Sequence, residues 1–286
     1  ATANAALYVG AEVQFADVDV DTGLLTPETM ERALAQSDAP VRAVLPVHVN
    51  GQTVDMQGVA AVPGVDEMLI VEDACHALGG QHAGLNGAVV PVGSNAFADM
   101  TVFSFHPVKT IAMGEGGAIT TNDPNLADRL RVLRNIGMTR EPSSFENTAL
   151  AFDASGEVNP WYYEMAALGF NYRASAIHCA LGLSQLGKLQ RFMDKRTALM
   201  ARYRERLAPL APMIQPLAQM PDCNPAWHLC VVLIDFDAAG VSRADCMRAL
   251  QARGVGTQVH YIPVHRQPFY RKRYGDLDLP GADAYY

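Results

Sequence analysis

The sequence predicts an α/β protein in which a mainly parallel β-sheet is covered by helices. Short apolar segments alternate with amphipathic segments over residues 13–121, and this alternation is typical of a parallel sheet. Polar or glycine-rich residues follow the apolar segments that end at Val71 and Phe105. Sheets of this kind bind ligands at the carboxyl ends of their strands. We therefore expect the functional site where these two segments end.

The first half of the chain is predicted to supply the sheet. Each apolar segment is short enough for a strand, and Pro27 is expected to begin the first helix because proline is favoured at that position. The predicted strands are 13–18, 42–49, 68–71, 99–105 and 117–121, and the predicted helices are 27–36 and 55–62.

The second half is predicted to be helical up to residue 207 and then to enter a smaller unit. The polar segment 141–160 is expected to be a loop, and the proline-rich segment 209–225 indicates a domain boundary. The predicted helices are 125–136, 174–189, 191–207 and 243–253, and the predicted strands are 227–235 and 257–261. We therefore expect a large domain over residues 1–207 and a small carboxyl-terminal α/β domain over 208–286. Both termini resemble domain interiors, so we expect both domains to be incomplete.

Composition narrows the class of protein. The chain is 49% hydrophobic and only 18% charged, which is typical of a globular enzyme. A net charge of -8 without a basic face argues against a nucleic-acid-binding protein. The five cysteines show no CxxC spacing, which favours reduced thiols over a disulfide framework or a zinc site. No apolar run reaches 18 residues. We expect a cytoplasmic protein with no metal site.

Lys109 is the first candidate for catalysis. It stands between an apolar segment that carries hydroxyl groups and a glycine-rich turn at 114–117. A lysine at the mouth of a sheet can form an imine with a carbonyl cofactor, and glycines let the backbone approach a bulky ring. The alternative is an ordinary solvated lysine in a loop.

Asp73 is the second candidate, because it follows the apolar segment 68–71. A carboxylate there can pair with the ring nitrogen of pyridoxal phosphate (PLP), whose aldehyde needs a lysine. Lys109 and Asp73 together therefore predict a PLP site. The alternative for Asp73 is a helix N-cap. Glu72 is expected to face the other side of the sheet, since neighbours on a strand point in opposite directions.

Several other polar residues are candidates for the same site. His76 can contact the cofactor ring or its 3-oxygen, or it can be a structural histidine. Ser104 can bind a phosphate oxygen, or it can be a filler residue of a strand. Asn171 and Arg173 offer donors before a predicted helix, where anions bind, although an ordinary capped loop is the alternative. The segment 260–265 can line a substrate pocket or end a strand.

Five segments together resemble the DegT-type sugar-nucleotide aminotransferases, which are PLP enzymes of fold type I with an aspartate aminotransferase-like architecture. The segments span nearly the whole chain, in the order that the family has them. They are VEDACHALGG, FSFHPVKTIAMGEGGAITTND, LGFNYRASAIHCALGLSQLGKL, WHLCVVLID and HYIPVHRQPFY. Within the family, one branch is most similar, namely the UDP-4-amino-4,6-dideoxy-N-acetyl-L-altrosamine transaminases of pseudaminic acid biosynthesis. The segments that carry this similarity together are PWYYEMAALGFNYR, FSFHPVK and HYIPVHRQPFYRKRYG.

The resemblance implies a reaction and its participants. The amino donor would be L-glutamate, and the acceptor would be a UDP-linked 4-keto-6-deoxy-N-acetylhexosamine. Lys109 would be the residue that forms the imine with PLP. Asp73 would pair with the ring nitrogen, His76 would lie near the ring, and Ser104 would bind the phosphate. Asn171 would reach the cofactor phosphate of the neighbouring subunit, so a homodimer with shared sites is expected.

The substrate would be contacted by a further set of residues, namely His260, Tyr261 and Arg173. Three alternatives remain open. The chain can be an aminotransferase for another nucleotide keto sugar, a PLP-dependent sugar dehydratase, or an inactive remnant. The dehydratases of this fold carry histidine in place of the lysine, so Lys109 argues against that class.

Overall fold

The structure is a computed structural model that describes residues 1–286. It contains ten strands and eleven α-helices, joined by loops and short 3-10 turns. The strands are β1 Ala43–Val44, β2 Leu69–Asp73, β3 Gln81–Ala83, β4 Val89–Pro91, β5 Met100–Ser104, β6 Gly117–Thr120, β7 Met138–Thr139, β8 Glu164–Met165, β9 Ile214–Pro216 and β10 Val232–Ile234. The helices are α1 Thr2–Tyr8, α2 Pro27–Ala35, α3 Met56–Ala60, α4 Pro124–Arg134, α5 Thr148–Ala151, α6 Ala176–Leu186, α7 Leu189–Leu207, α8 Phe236–Ala239, α9 Arg243–Ala252, α10 Pro268–Tyr274 and α11 Pro280–Tyr285.

The central sheet has four strands in the order β1-β2-β5-β6. The first three strands are parallel, and β6 runs antiparallel to β5. The sheet is therefore mixed and mainly parallel, which confirms the predicted fold class. Asp73 pairs with Val102 in the register of β2 and β5, so the carboxyl ends of both strands lie at one edge.

The two faces of the sheet differ in what they bury. Ile70 lies in a core of eight buried residues, which comprises Leu24, Met30, Val54, Met56, Val59, Val62, Val65 and Ile70. Glu72 is only 1% exposed and accepts a hydrogen bond from His48 at 3.0 Å. Asp73 points away from that pair, because successive side chains alternate between the faces of a strand. The expected division between Glu72 and Asp73 is thus confirmed.

Several predicted elements are wrong or shorter than expected. Segment 13–18 joins no sheet. It is held in place by hydrogen bonds that involve side chains instead of by pairing with a strand. Val13 N donates to the Tyr274 hydroxyl, and Asp17 accepts from the first turn of α11. Segment 257–261 forms no strand either. The predicted strand 42–49 shrinks to β1 and one isolated bridge from Val47 to Asp73.

Much apolar surface has no partner within the chain. The accessible surface is 17302 Å², whereas a compact monomer of this mass exposes about 12,000 Å². Helices α4, α6 and α9 bury no residue. On α6, Ile177 is 81% exposed and Leu183 is 74% exposed. Such a face is typical of a surface that another structure covers.

No helix is both long and apolar enough to cross a membrane. No group of three or more His, Cys, Asp or Glu side chains is arranged as a metal site.

The turn after β1 connects the sheet to the carboxyl-terminal part of the chain. Asn50 O accepts from His228 N at 2.9 Å, and Gly51 O accepts from Ala226 N at 3.0 Å. Gln52 is fully buried, and its amide bonds Ala218 O and Met220 N, each at 2.9 Å. These bonds satisfy buried polar groups on both segments, so the turn and residues 218–228 behave as one unit.

We predict that Gly51→Ala destabilises this unit. Gly51 has φ +92°, and a Cβ atom there would overlap the carbonyl oxygen of Ala226. The variant should lose about 3 kcal/mol of unfolding free energy in urea titrations. Gly64→Ala is the matched control, because Gly64 has φ +85° but open space around it. It should lose only about 1 kcal/mol. Equal losses of unfolding free energy in the two variants would show that the close approach to Ala226 does not contribute to stability.

Candidate active site

Asp73 lies at the carboxyl end of β2, beside the end of β5. Its Oδ1 atom accepts from Cys75 N at 3.1 Å, and its Oδ2 atom accepts from the hydroxyl of Thr2 on α1. Burial raises the pKa of Asp73, but the hydrogen bonds from Thr2 and Cys75 and the nearby His76 outweigh it. The net pKa lies below the ordinary value, so the carboxylate is ionised at neutral pH.

Lys109 lies in the turn that follows β5. Its backbone N donates to His106 O at 2.9 Å, and Met113 N donates to Phe105 O at 2.9 Å, so the turn is closed at its base. The side chain is half-buried. Its charge is one cause of the lowered pKa of His76, of His228 and of His260. The ammonium therefore lies near three imidazole rings.

His76, His228 and His260 all lie near Lys109, and together they are called the wall of the site. The His76 ring centroid lies 4.5 Å from that of His228 and 6.4 Å from that of Tyr261. Burial, with the charge of Lys109, lowers the pKa of His76 to about 4 and that of His228 to about 3. Burial also lowers the pKa of His260. The wall is therefore uncharged at neutral pH.

His76 has a defined tautomer. Its Nδ1 atom accepts a hydrogen bond from Asn50 N at 3.3 Å. Because the ring is neutral and Nδ1 accepts, the proton resides on Nε2. His76 therefore offers an N–H donor from its other edge.

Ser104 ends β5 and lies opposite Gly117 of β6. Its hydroxyl is half-buried and accepts from His106 N at 3.5 Å. Ser104 thus stands at the same sheet edge as Asp73, with an O–H group still free to donate.

Asn171 and Arg173 lie elsewhere on the surface. Asn171 forms an antiparallel bridge with Asn135, just after α4, and Arg173 donates to Asn135 Oδ1 at 3.0 Å. Both residues are exposed, and neither forms a hydrogen bond or ion pair with the residues around Lys109. The structure therefore brings together six of the eight predicted site residues, which are Lys109, Asp73, His76, Ser104, His260 and Tyr261.

Sequence reasoning missed three residues of the site. They are Thr2, which donates to Asp73, Asn50, which binds His76, and His228, whose ring packs at a tilt against that of His76. His228 could have been found, because it stands with Trp227 directly before an apolar segment. No sequence pattern around Thr2 or Asn50 indicates that either residue belongs to the site.

The residues fit pyridoxal phosphate. An ionised, half-buried carboxylate can accept from a protonated ring nitrogen, and a nearby lysine amine can bind an aldehyde. The Nδ1 atom of His228 is buried without a partner in this same cluster. The cluster is therefore suited to a planar, polar ligand between Lys109 and the histidines.

We predict that stability falls as pH drops from about 6.5 toward 4. Unfolded histidine binds a proton near pH 6.5, whereas folded His76 does so only at about 4. The stability is present above the unfolded pKa and is lost as pH falls through the folded one. Between pH 7 and 5, His76 should account for about 1 kcal/mol after solvent screening.

The measurement is urea unfolding of the cofactor-free chain at pH 7 and pH 5. Between pH 7 and pH 5, the unfolding free energy of His76→Phe should fall by about 1 kcal/mol less than that of wild type. His106→Gln is the control at an exposed position and should behave as wild type. Identical losses in His76→Phe and wild type would contradict the assignment of His76 as a neutral ring.

Comparison with known proteins identifies the family of the chain. The profile of the DegT/DnrJ/EryC1/StrS aminotransferase family matches residues 1–286. The spore coat polysaccharide biosynthesis protein SpsC of Bacillus subtilis (strain 168) is 35% identical over 288 residues, which covers 100% of this chain and 69% of SpsC.

Three solved structures are similar in fold and sequence. PseC of Helicobacter pylori, an aminotransferase involved in the biosynthesis of pseudoaminic acid, has a TM-score of 0.83 at 28% identity, covering 100% of this chain and 69% of PseC. DesI, solved in the presence of its TDP-sugar product, has a TM-score of 0.78 at 30% identity, covering 98% of this chain and 64% of DesI. DesV of S. venezuelae, solved in complex with a ketimine intermediate, has a TM-score of 0.78 at 30% identity, covering 99% of this chain and 67% of DesV. The chain therefore belongs to the DegT/DnrJ/EryC1/StrS aminotransferase family of sugar aminotransferases, and its cofactor is pyridoxal 5'-phosphate.

Proposed function

We propose that Lys109 forms the covalent link to PLP and that Asp73 binds the ring nitrogen of the cofactor. One observation carries the proposal. The ionised carboxylate of Asp73 ends β2, Lys109 follows the neighbouring parallel strand β5, and the charges of both side chains act on His76 between these strand ends and the carboxyl-terminal part of the chain. In the neutral wall beside them, His76 offers Nε2–H to an oxygen of the cofactor. Ser104 offers a hydroxyl to its phosphate.

Lys109 also moves the protons. When bound, PLP accepts the electron pair left on a carbon that loses its proton. Lys109 Nζ would remove the proton from the α-carbon of the amino donor as a general base and would deliver it, as a general acid, to the former aldehyde carbon of the cofactor, which keeps the amino group. Asp73 keeps a proton on the ring nitrogen, because an ionised carboxylate stabilises the pyridinium N–H. The uncharged histidines leave the carboxylate of Asp73 as the anion of the site.

We propose L-glutamate as the amino donor and a UDP-linked 4-keto-6-deoxy-N-acetylhexosamine of the pseudaminic acid pathway as the acceptor. The similarity to PseC supports the pathway, and the TDP-sugar product of DesI supports a nucleotide-linked sugar. His260 and Tyr261 would contact the sugar, since Tyr261 is 48% exposed beside the His76 ring. The similarity to SpsC, a polysaccharide biosynthesis protein, supports the second candidate, which is an aminotransferase for another nucleotide keto sugar.

We also propose that the enzyme is a homodimer with shared sites. Asn171 and Arg173 are exposed and do not reach Lys109 within one chain, and the apolar face of α6 has no partner. A second copy would cover that face. It would also bring Asn171 to the partner's cofactor phosphate and Arg173 to the partner's substrate. We further propose a large domain over residues 1–207 and a small domain over 208–286. We also propose a cytoplasmic location, which the five free thiols favour.

We predict that Lys109→Ala abolishes transamination and the visible absorption of lysine-bound PLP. The amine is both the covalent partner and the proton carrier, so no neighbour can replace it. Borohydride reduction of the PLP-loaded wild-type enzyme, followed by peptide mass mapping, should place the label on Lys109. Lys195→Ala, at an exposed position of α7, is the control and should keep both properties. A label on another lysine would refute the assignment.

We predict that the enzyme prefers UDP-linked 4-keto sugars. The measurement is kcat/KM for a panel of UDP- and TDP-linked 3-keto and 4-keto sugars with L-glutamate as donor. The kcat/KM for the proposed acceptor should exceed that for each other sugar by at least about tenfold. This ratio corresponds to a difference of about 1.4 kcal/mol in transition-state binding. A higher value for a TDP-linked or 3-keto sugar would favour the second candidate. Turnover of none would favour an inactive remnant.

A further inference from the structure

His228 is in contact with the proposed cofactor site but has no role in the proposal so far. Its ring lies 4.5 Å from that of His76, with an angle of 38° between the ring planes. No hydrogen bond fixes the ring of His228, and its buried Nδ1 atom has no partner. Its contact with His76 is therefore the specific interaction that its ring makes.

A single residue places both rings. The backbone N of Asn50 donates to His76 Nδ1 at 3.3 Å, and the backbone O of Asn50 accepts from His228 N at 2.9 Å. Asn50 is 1% exposed, so it has little freedom to move. On the far side, Arg196 donates to the carbonyl oxygens of Trp227 at 3.2 Å and of His228 at 2.8 Å. The backbone of His228 is thus held from two directions.

The His76 ring by itself is held less firmly. The hydrogen bond from Asn50 fixes one ring nitrogen, but it does not stop the ring from tilting about that bond. A second ring packed against it restricts this freedom. His228 is the nearer neighbour, at 4.5 Å and tilted by 38°. The ring of Tyr261 is more nearly parallel to that of His76, at 28°, but lies farther away at 6.4 Å.

Given the proposed contact of His76 with the cofactor, we propose that His228 is a positioning residue that holds the His76 ring by packing its own tilted ring against it. Burial and the charge of Lys109 keep both rings neutral. No charge repulsion therefore opposes the contact between the two rings.

The test compares two substitutions of similar volume. His228→Phe keeps an aromatic ring, whereas His228→Leu keeps the volume but removes the flat face. His228→Leu should raise the Kd for PLP, measured by absorbance titration, about threefold to tenfold, as expected for loss of an aromatic pair. His228→Phe should stay within about twofold of wild type. Equal effects of the two substitutions would overturn the proposal.

A second readout needs no cofactor. In the cofactor-free enzyme, the imidazole ¹H–¹⁵N NMR signals of His76 should shift in His228→Leu, and those in His228→Phe should still report a proton on Nε2. His82→Leu is the control for loss of a buried imidazole, because His82 packs on Phe97 in another part of the chain. It should leave both readouts unchanged. Unaltered His76 signals in His228→Leu would overturn the proposal.

A double-mutant cycle separates this proposal from the preceding one. If His76 contacts PLP and His228 acts through it, adding His228→Leu to His76→Ala should change the Kd by less than about twofold. Additive effects would overturn the role of His228. If His76→Ala alone leaves the Kd unchanged, the proposed cofactor contact of His76 fails, and the NMR signals of the cofactor-free enzyme still test the contact between the two rings.

Discussion

The parallel pairing of β2 with β5 is the constraint on which the site depends. Parallel strands end at the same edge of a sheet. The pairing of β2 with β5 is therefore enough to bring Asp73 and the turn that carries Lys109 to one edge. Antiparallel pairing would have placed the two strand ends on opposite edges. Strand β6 returns antiparallel along β5 and closes the turn at 105–116 through the bond from Phe105 N to Gly116 O at 2.9 Å. The position of Lys109 therefore follows from local sheet geometry.

The electrostatics of the site follow from which charges the fold stabilises. Burial disfavours the ionised form of Asp73, but two hydrogen-bond donors aimed at its oxygens reverse the balance. For the histidines the balance falls the other way. Asp73 raises the pKa of His76 and a hydrogen bond with Gln258 raises that of His260, but burial and the charge of Lys109 outweigh both effects. Burial is also the main cause of the lowered pKa of His228. The result is an ionised Asp73 beside uncharged imidazole rings.

Sequence reasoning succeeded where the determinants are local. Asp73 follows an apolar strand and Lys109 precedes a glycine-rich turn, and both features can be read from neighbouring residues in the sequence. The helices α2, α4, α7 and α9 also lie close to their predicted bounds. It failed where the partner is distant. Segment 13–18 has the composition of a strand, yet its backbone and side chains bond to α10 and α11 instead of a sheet. Nothing near Asn50 in the sequence indicates that its backbone binds a residue 178 positions later.

The two halves of the site are joined by the same feature that local reasoning could not find. The turn at 50–52 places His76 with one bond and positions the segment 218–228 with several others, so the sheet and the carboxyl-terminal part of the chain cannot shift independently at this point. His260 and Tyr261, which lie near His76, belong to that carboxyl-terminal part. Because a buried polar group that loses its partner costs about 1–3 kcal/mol, the buried bonds at Gln52 oppose any separation of the two halves of the site.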